Sequence, residues 1–212
     1  MGGLSMMFEE RGAYQIAVSK AIEDLGGIDP GPAAAERGVQ YDADQGLFRM
    51  EFLREALTVG FPGGEVRGPG DERLSGAVVV IALHYLTYRG EPLRAEGWLA
   101  FRDMPGGRVF SSAFEQMSEE KLAFRFGASP DEFAAAALRL GGEPAESGEF
   151  SFLIPALPRL PLHVILWPEC EGVEGAARVL FPPRAPYYLH TEDLAALGAV
   201  AAERLIAVGA KA

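Results

Sequence analysis

The segment from Leu74 to Tyr88 constrains the fold more than any other, because it is apolar almost all round. An element with no polar face has to be enclosed on every side, so the rest of the chain must supply layers that cover it. Its centre, Ala77-Val78-Val79-Val80-Ile81-Ala82-Leu83, is the longest apolar stretch and falls well short of the roughly 20 residues that span a bilayer. Periodicity leaves strand and helix both open for such a run, and the length of the whole segment favours a buried helix.

The covering layers are written in two periods. Residues 8 to 25 carry Tyr14, Ala17, Val18, Ala21, Ile22 and Leu25 at helical spacing and stop at Gly26-Gly27, which predicts an amphipathic first helix. Ile28 to Arg37, with Pro30 and Pro32, reads as a loop ending in a short helical turn. From Gly38 the period becomes two: Val39-Gln40-Tyr41, Leu47 to Phe52 and Leu57 to Phe61 predict a three-stranded antiparallel meander with tight turns.

Trp98 to Arg102 and Arg108 to Phe110 read as a hairpin around Pro105-Gly106-Gly107, and Ser118 to Phe126 as a short helix. Ser129-Pro130-Asp131-Glu132 has the pattern of a capping box with proline at the first helical position, opening a helix that ends at Gly141-Gly142. Phe150 to Ile154, a proline-rich corner over 155–161, and Leu162 to Pro168 repeat the strand period, with Arg178 to Phe181 as a further strand. Thr191-Glu192-Asp193 is placed to cap a final helix, Leu194 to Val208.

These elements predict an α+β fold of antiparallel meanders packed against several helices. Residues 1–37 form an N-terminal helix and loop, and 38–212 a single domain whose halves, 38–115 and 116–212, resemble a β-β-β-α pseudo-duplication.

The 212 residues carry 19 Lys+Arg against 30 Asp+Glu, a formal net charge of −11. Such a chain repels polyanions, which argues against nucleic-acid and anionic-membrane partners. One cysteine cannot form an internal disulfide, a Cys-rich zinc site or an iron–sulfur cluster, and a reducing cytoplasm suits it. No basic region precedes an apolar run at the start, so a cytoplasmic location is the expectation.

Three histidines offer imidazole chemistry, and no two share a local metal-ligand spacing, so no metal site is predicted from sequence. His84, beside Tyr85 and Tyr88, can act as an axial ligand or a proton donor, or be a buried histidine satisfied by a backbone carbonyl. His163 lies on one face of an apolar strand as a structural hydrogen bonder or a pocket residue. His190 could stabilise an anion at the free N–H groups of a helix start, or be an exposed loop residue. Arg102, Asp103 and Arg108 near Trp98, Phe101 and Phe110 could form a polar rim beside an aromatic wall, or a surface ion pair over the core. Cys170, between Glu169 and Glu171, lacks the surroundings of a reactive thiolate. The glycine clusters match neither phosphate-binding nor dinucleotide-binding spacing and are turns.

His84, Tyr85, Trp98, Arg102 and His163 are therefore the candidate cofactor-binding residues, with no particular cofactor indicated. The segments 153–158 and 182–188, rich in proline, predict exposed apolar loops that suit a partner protein or a homodimer.

Four segments, Leu83 to Leu86, Trp98 to Gly107, Leu157 to Leu162 and Tyr188 to Leu194, carry a resemblance to an uncharacterised prokaryotic family, domain of unknown function 3786. It covers the chain from about Glu36 onward. The resemblance implies anaerobic bacteria and archaea as the setting and, through family members fused to a Cys-rich iron–sulfur module, corrinoid or iron–sulfur C1 metabolism. It brings no catalytic residues. Three readings follow: an accessory protein that holds a small cofactor or a partner, an enzyme using His84, Tyr85, Arg102 and Asp103 for acid–base chemistry, and a structural homodimer that modulates a larger enzyme.

Overall fold

The computed structural model describes residues 15–71 and 74–210. Helix α1 covers residues 15–26 and α2 Pro30–Arg37; the predicted start of the first helix at residues 8–14 lies outside the described residues. Strands β1 Gln40–Asp42, β2 Leu47–Phe52, β3 Glu55–Gly60 and β4 Val66–Arg67 follow, and then α3 Gly76–Thr87. After β5 Leu99–Ala100 come α4 Gly107–Phe114, a π-helical turn Glu115–Glu119, α5 Glu120–Phe126 and α6 Pro130–Arg139. Strands β6 Glu143–Pro144, β7 Phe150–Leu157, β8 Leu160–Trp167 and β9 Ala176–Phe181 lead to α7 Ala185–Tyr188 and α8 Thr191–Gly209.

The fold is α+β, with two antiparallel sheets ordered β1-β2-β3-β4 and β5-β9-β8-β7-β6. In the first sheet Phe48 pairs with Val59 and Met50 with Leu57, so their side chains share the buried face while Arg49 and Glu51 point outward. The turn between β2 and β3 places Leu53 at φ 48° and Arg54 at φ 69°, and the Leu53 N–H donates to Ala156 O of β7 at 3.0 Å, tying the two sheets together. β8 is buried along nearly its whole length, because β2 approaches β7, α6 packs on β7, and α5 packs on β8 and β9.

α3 is the enclosed helix its composition demands. Ser75 Oγ accepts from Val78 N at its start, and Val78, Ile81, Ala82, Leu83, Tyr85 and Leu86 are buried among α2, α7, α8 and β4. A four-strand meander followed by a helix occurs twice, β1 to β4 before α3 and β6 to β9 before α7 and α8, and α3 packs against α8. No helix among the described residues is long and apolar enough to cross a membrane.

Several local expectations are corrected. Residues 30–37 form a full helix rather than a loop, since Pro30 opens it and three alanines follow. Arg108 to Phe110 belong to α4, and β5 pairs instead with β9, Leu99 opposite Phe181. The Ser129 side chain makes no cap bond, and Glu132 pairs with Arg125 at 2.5 Å, so the capping box does not close. The proline corner is absorbed into β7 and β8 through a bulge between Ile154 and Leu157. Residues 185–188 form α7 with Ala185, Pro186 and Tyr188 buried, and residues 153–157 belong to β7 with Ile154, Ala156 and Leu157 buried, so most of the expected apolar loop surface lies inside the protein.

Candidate functional site

The C-terminal turn of α3 meets the N-terminal turn of α8. α3 carries His84 where helix carbonyls point outward and favour positive charge, and α8 carries Asp193 where free N–H groups favour negative charge. The two side chains join at 2.7 Å, His84 Nδ1 to Asp193 Oδ2, across 109 residues of sequence. Their side chains are 15% and 9% exposed. An Nδ1–H given to the carboxylate leaves the Nε2 lone pair of a neutral His84 as acceptor, base or ligand.

His190 is the N-cap residue of α8, and Thr191, expected in that position, instead donates its hydroxyl to Pro105 O at 2.7 Å. That bond pins the start of α8 to the loop before α4. The His190 ring lies 5.0 Å from the His84 ring and 3.7 Å from the Tyr88 ring, centroid to centroid. Although His190 lies at the surface, partial burial of its ring holds it below the ordinary imidazole range, opposed by the Asp193 carboxylate and reinforced by His84. His84, His190 and Asp193 each offer one ligand atom, all within 4.8 Å of one another.

Behind this cluster, Arg37 is fully buried and donates through Nη2 to Tyr88 O, fixing the residue that packs against His190. Its guanidinium lies 5.9 Å from the ring of Tyr85 and 5.1 Å from those of Tyr187 and Tyr188. Nε and Nη1 have no hydrogen-bond partner among the described residues. Glu36 accepts from the Tyr187 hydroxyl and from Arg89, and both bonds hold its carboxyl below the usual carboxylate range.

Of the five residues singled out from sequence, only His84 lies in this cluster. Tyr85 is buried beside it but turned to the core: its hydroxyl donates to Arg37 O at 2.7 Å and accepts from Arg159 N at 2.9 Å, and burial pushes its phenol up. Trp98 packs edge-on to His163, rings 5.1 Å apart. His163 bonds Ser151 Oγ at 2.7 Å through Nε2, its Nδ1 has no partner among the described residues, and burial holds it below the ordinary imidazole range. Arg102 lines a small cavity of about 10 Å³ with Ser111, Glu115, Glu119 and Arg178 at the π-helical turn. Of the acid–base set expected from His84, Tyr85, Arg102 and Asp103, Tyr85 spends its hydroxyl on Arg37 and Arg159, and the carboxylate bonded to His84 is Asp193.

The sequence carries one local signal for the partners. His190 and Asp193 are three apart at a helix start and so share a face, but nothing local joins them to His84. The four segments that carry the family resemblance are linked at and beside this cluster. His84 bonds Asp193, Thr191 bonds Pro105, Tyr85 bonds Arg159, and the Tyr85 and Tyr188 rings lie 5.7 Å apart.

A larger groove, about 560 Å³, lies elsewhere, between the outer face of β1 to β3 and the β7–β8 hairpin. Gln40, Arg49, Glu51 and Thr58 form its floor and Pro155 and Pro158 one wall. Arg49 is already held there by Gln45 at 2.6 Å and Asp42 at 3.5 Å, and no histidine lines the groove.

A family model described as a domain of unknown function, DUF3786, matches residues 29–204, a span that includes α2, both sheets and all three members of the cluster. No curated protein and no solved structure matches the chain.

Proposed function

We propose, for a chain that belongs to the family described as a domain of unknown function (DUF3786), that it is a binding protein holding a small ligand at the His84, His190 and Asp193 cluster. The observation that carries this reading is the 2.7 Å bond in which Asp193 Oδ2 accepts from His84 Nδ1. A carboxylate on one imidazole nitrogen fixes the tautomer and orientation of the ring, the usual preparation of a histidine that acts as a ligand. Tyr88 and His190 supply an aromatic shelf beside it.

The resemblance extends this reading to an accessory role in corrinoid or iron–sulfur C1 chemistry. An axial position on a metal-bearing cofactor suits a carboxylate-oriented imidazole. An iron–sulfur cluster would reside on a partner protein, because this chain has a single cysteine, Cys170.

A second reading, general acid–base catalysis, is favoured by the same bond, since a base oriented by a carboxylate is the core of a catalytic dyad. Thermal-shift screening of chelator-treated protein against corrinoids, tetrapyrroles and folates tests the binding reading. Stabilisation of the wild type by at least one of them, lost in His84→Ala, is expected. No stabilisation, or equal stabilisation of the variant, overturns ligand holding by an organic cofactor at this site.

A further inference from the structure

We infer that the ligand of this site is a divalent first-row transition-metal ion, coordinated by one atom each of His84, His190 and Asp193. The inference rests on the ligand-holding reading of the same cluster and gives that ligand a chemistry.

The donor set is the first argument. Two imidazoles and one carboxylate suit zinc, iron, cobalt or nickel, whereas magnesium and calcium take oxygen ligands almost throughout. Geometry is the second. Bonds of about 2.0–2.2 Å to a common ion set neighbouring ligand atoms roughly 3.0–3.5 Å apart, and these three atoms already lie within 4.8 Å of one another. His84 Nδ1 and Asp193 Oδ2 are closer still, at 2.7 Å with a proton between them, so an ion held by both takes the place of that proton and meets His84 through Nδ1 rather than Nε2. Closing the set therefore asks for a small rotation of the His190 side chain, the member at the surface.

The scaffold holds the ligands on rigid elements. His190 and Asp193 sit one turn apart at the start of α8, and His84 ends α3, against which α8 packs. Tyr88 packs against His190 with the rings tilted by 42°, and its carbonyl is held by Arg37, so the ring nearest solvent has a fixed neighbour.

Charge favours a cation despite the positive end of α8. Asp193 is in the cluster, the carboxylates of Glu192 and Asp24 act on His190 in the same sense, and the C-terminal carbonyls of α3 add their partial negative charge. Three protein ligands leave at least one coordination position open, the arrangement of sites that bind or activate a further molecule rather than of closed structural sites.

The test uses the full chain in chelator-treated buffer, titrated with CoCl2 in the absorbance spectrometer and with ZnCl2 in the calorimeter. The wild type is expected to bind one equivalent of each, with visible cobalt d–d bands. His190→Ala and Asp193→Asn should weaken binding at least tenfold, and Cys170→Ala should not change it.

His190 is exposed, so His190→Ala decides the matter even if Asp193→Asn fails to fold, and a melting curve of each metal-free variant confirms the fold. Absence of saturable one-to-one binding, or unchanged affinity in His190→Ala, overturns the inference. If metal binding fails while a corrinoid, tetrapyrrole or folate still shifts the melting point in a His84-dependent way, the metal inference falls and ligand holding stands. If neither is seen, both fall.

Discussion

His84, partly buried, and His163, fully buried, are both imidazoles on apolar elements, and their partners separate them. His84 faces a carboxylate, whereas His163 faces the Ser151 hydroxyl and its Nδ1 has no partner among the described residues. Burial holds His163 below its ordinary value, so the folded protein keeps it neutral where the unfolded chain, with a pKa near 6.5, begins to take up a proton. Stability should therefore fall as pH drops below about 6.5, until the folded pKa is reached. His163→Gln should reduce that dependence and leave the part due to His190, which burial lowers as well; urea unfolding at pH 7 and pH 5 measures the difference.

Arg37 is the other residue whose role is visible only in three dimensions. Its removal takes a cation from between three tyrosine rings and a donor from Tyr88 O. Arg37→Ala is expected to cost about 3 kcal/mol, a drop of roughly 6–12 °C in melting temperature for a chain of this size. It should also loosen ligand binding through Tyr88.

At the level of elements, the parts written in local signals were legible. The buried α3, the β1 to β3 meander and the end of α6 at Gly141 follow from composition, a period of two, and a glycine at φ 72°. Segments decided by distant contacts were not. Arg108 to Phe110 are too few to show a helical period, and β5 is a strand only because β9 lies beside it. The site was half legible: His84 stood out as a polar group in an apolar helix, while its partners lie 109 residues away for Asp193 and just before it for His190.

The cap of α6 makes a sharp test of local rules. Because the Ser129 side chain bonds nothing there, Ser129→Ala should cost less than about 0.5 kcal/mol instead of the roughly 1 kcal/mol of a working cap. Gly198 in α8 is the opposite case: a Cβ there would meet the buried Phe114 ring at 2.5 Å. Gly198→Ala should destabilise by about 1–3 kcal/mol by forcing α4 and α8 apart, a difference that chemical denaturation resolves.

Across the whole molecule, two meander-plus-helix units place the ends of α3 and α8 side by side, and the cluster sits where those ends meet. The contact does structural work as well, with Arg204 of α8 paired to Glu55 of β3 at 2.5 Å further along the same helix. A ligand that bridges α3 and α8 should therefore stabilise the entire fold. Metal at about 100 times its dissociation constant adds roughly 2.7 kcal/mol, seen as a rise of about 5–11 °C in melting temperature that a chelator reverses.

The three histidines of the chain allow the most direct measurement, long-range ¹H–¹⁵N spectra of their imidazole nitrogens during titration with ZnCl2. The account predicts a proton on His84 Nδ1 before zinc is added, held by Asp193. On titration His84 and His190 should then shift together, while His163 remains unchanged. A proton on His84 Nε2 alone at the start, a response from His163, or no response from His84 and His190 would contradict it.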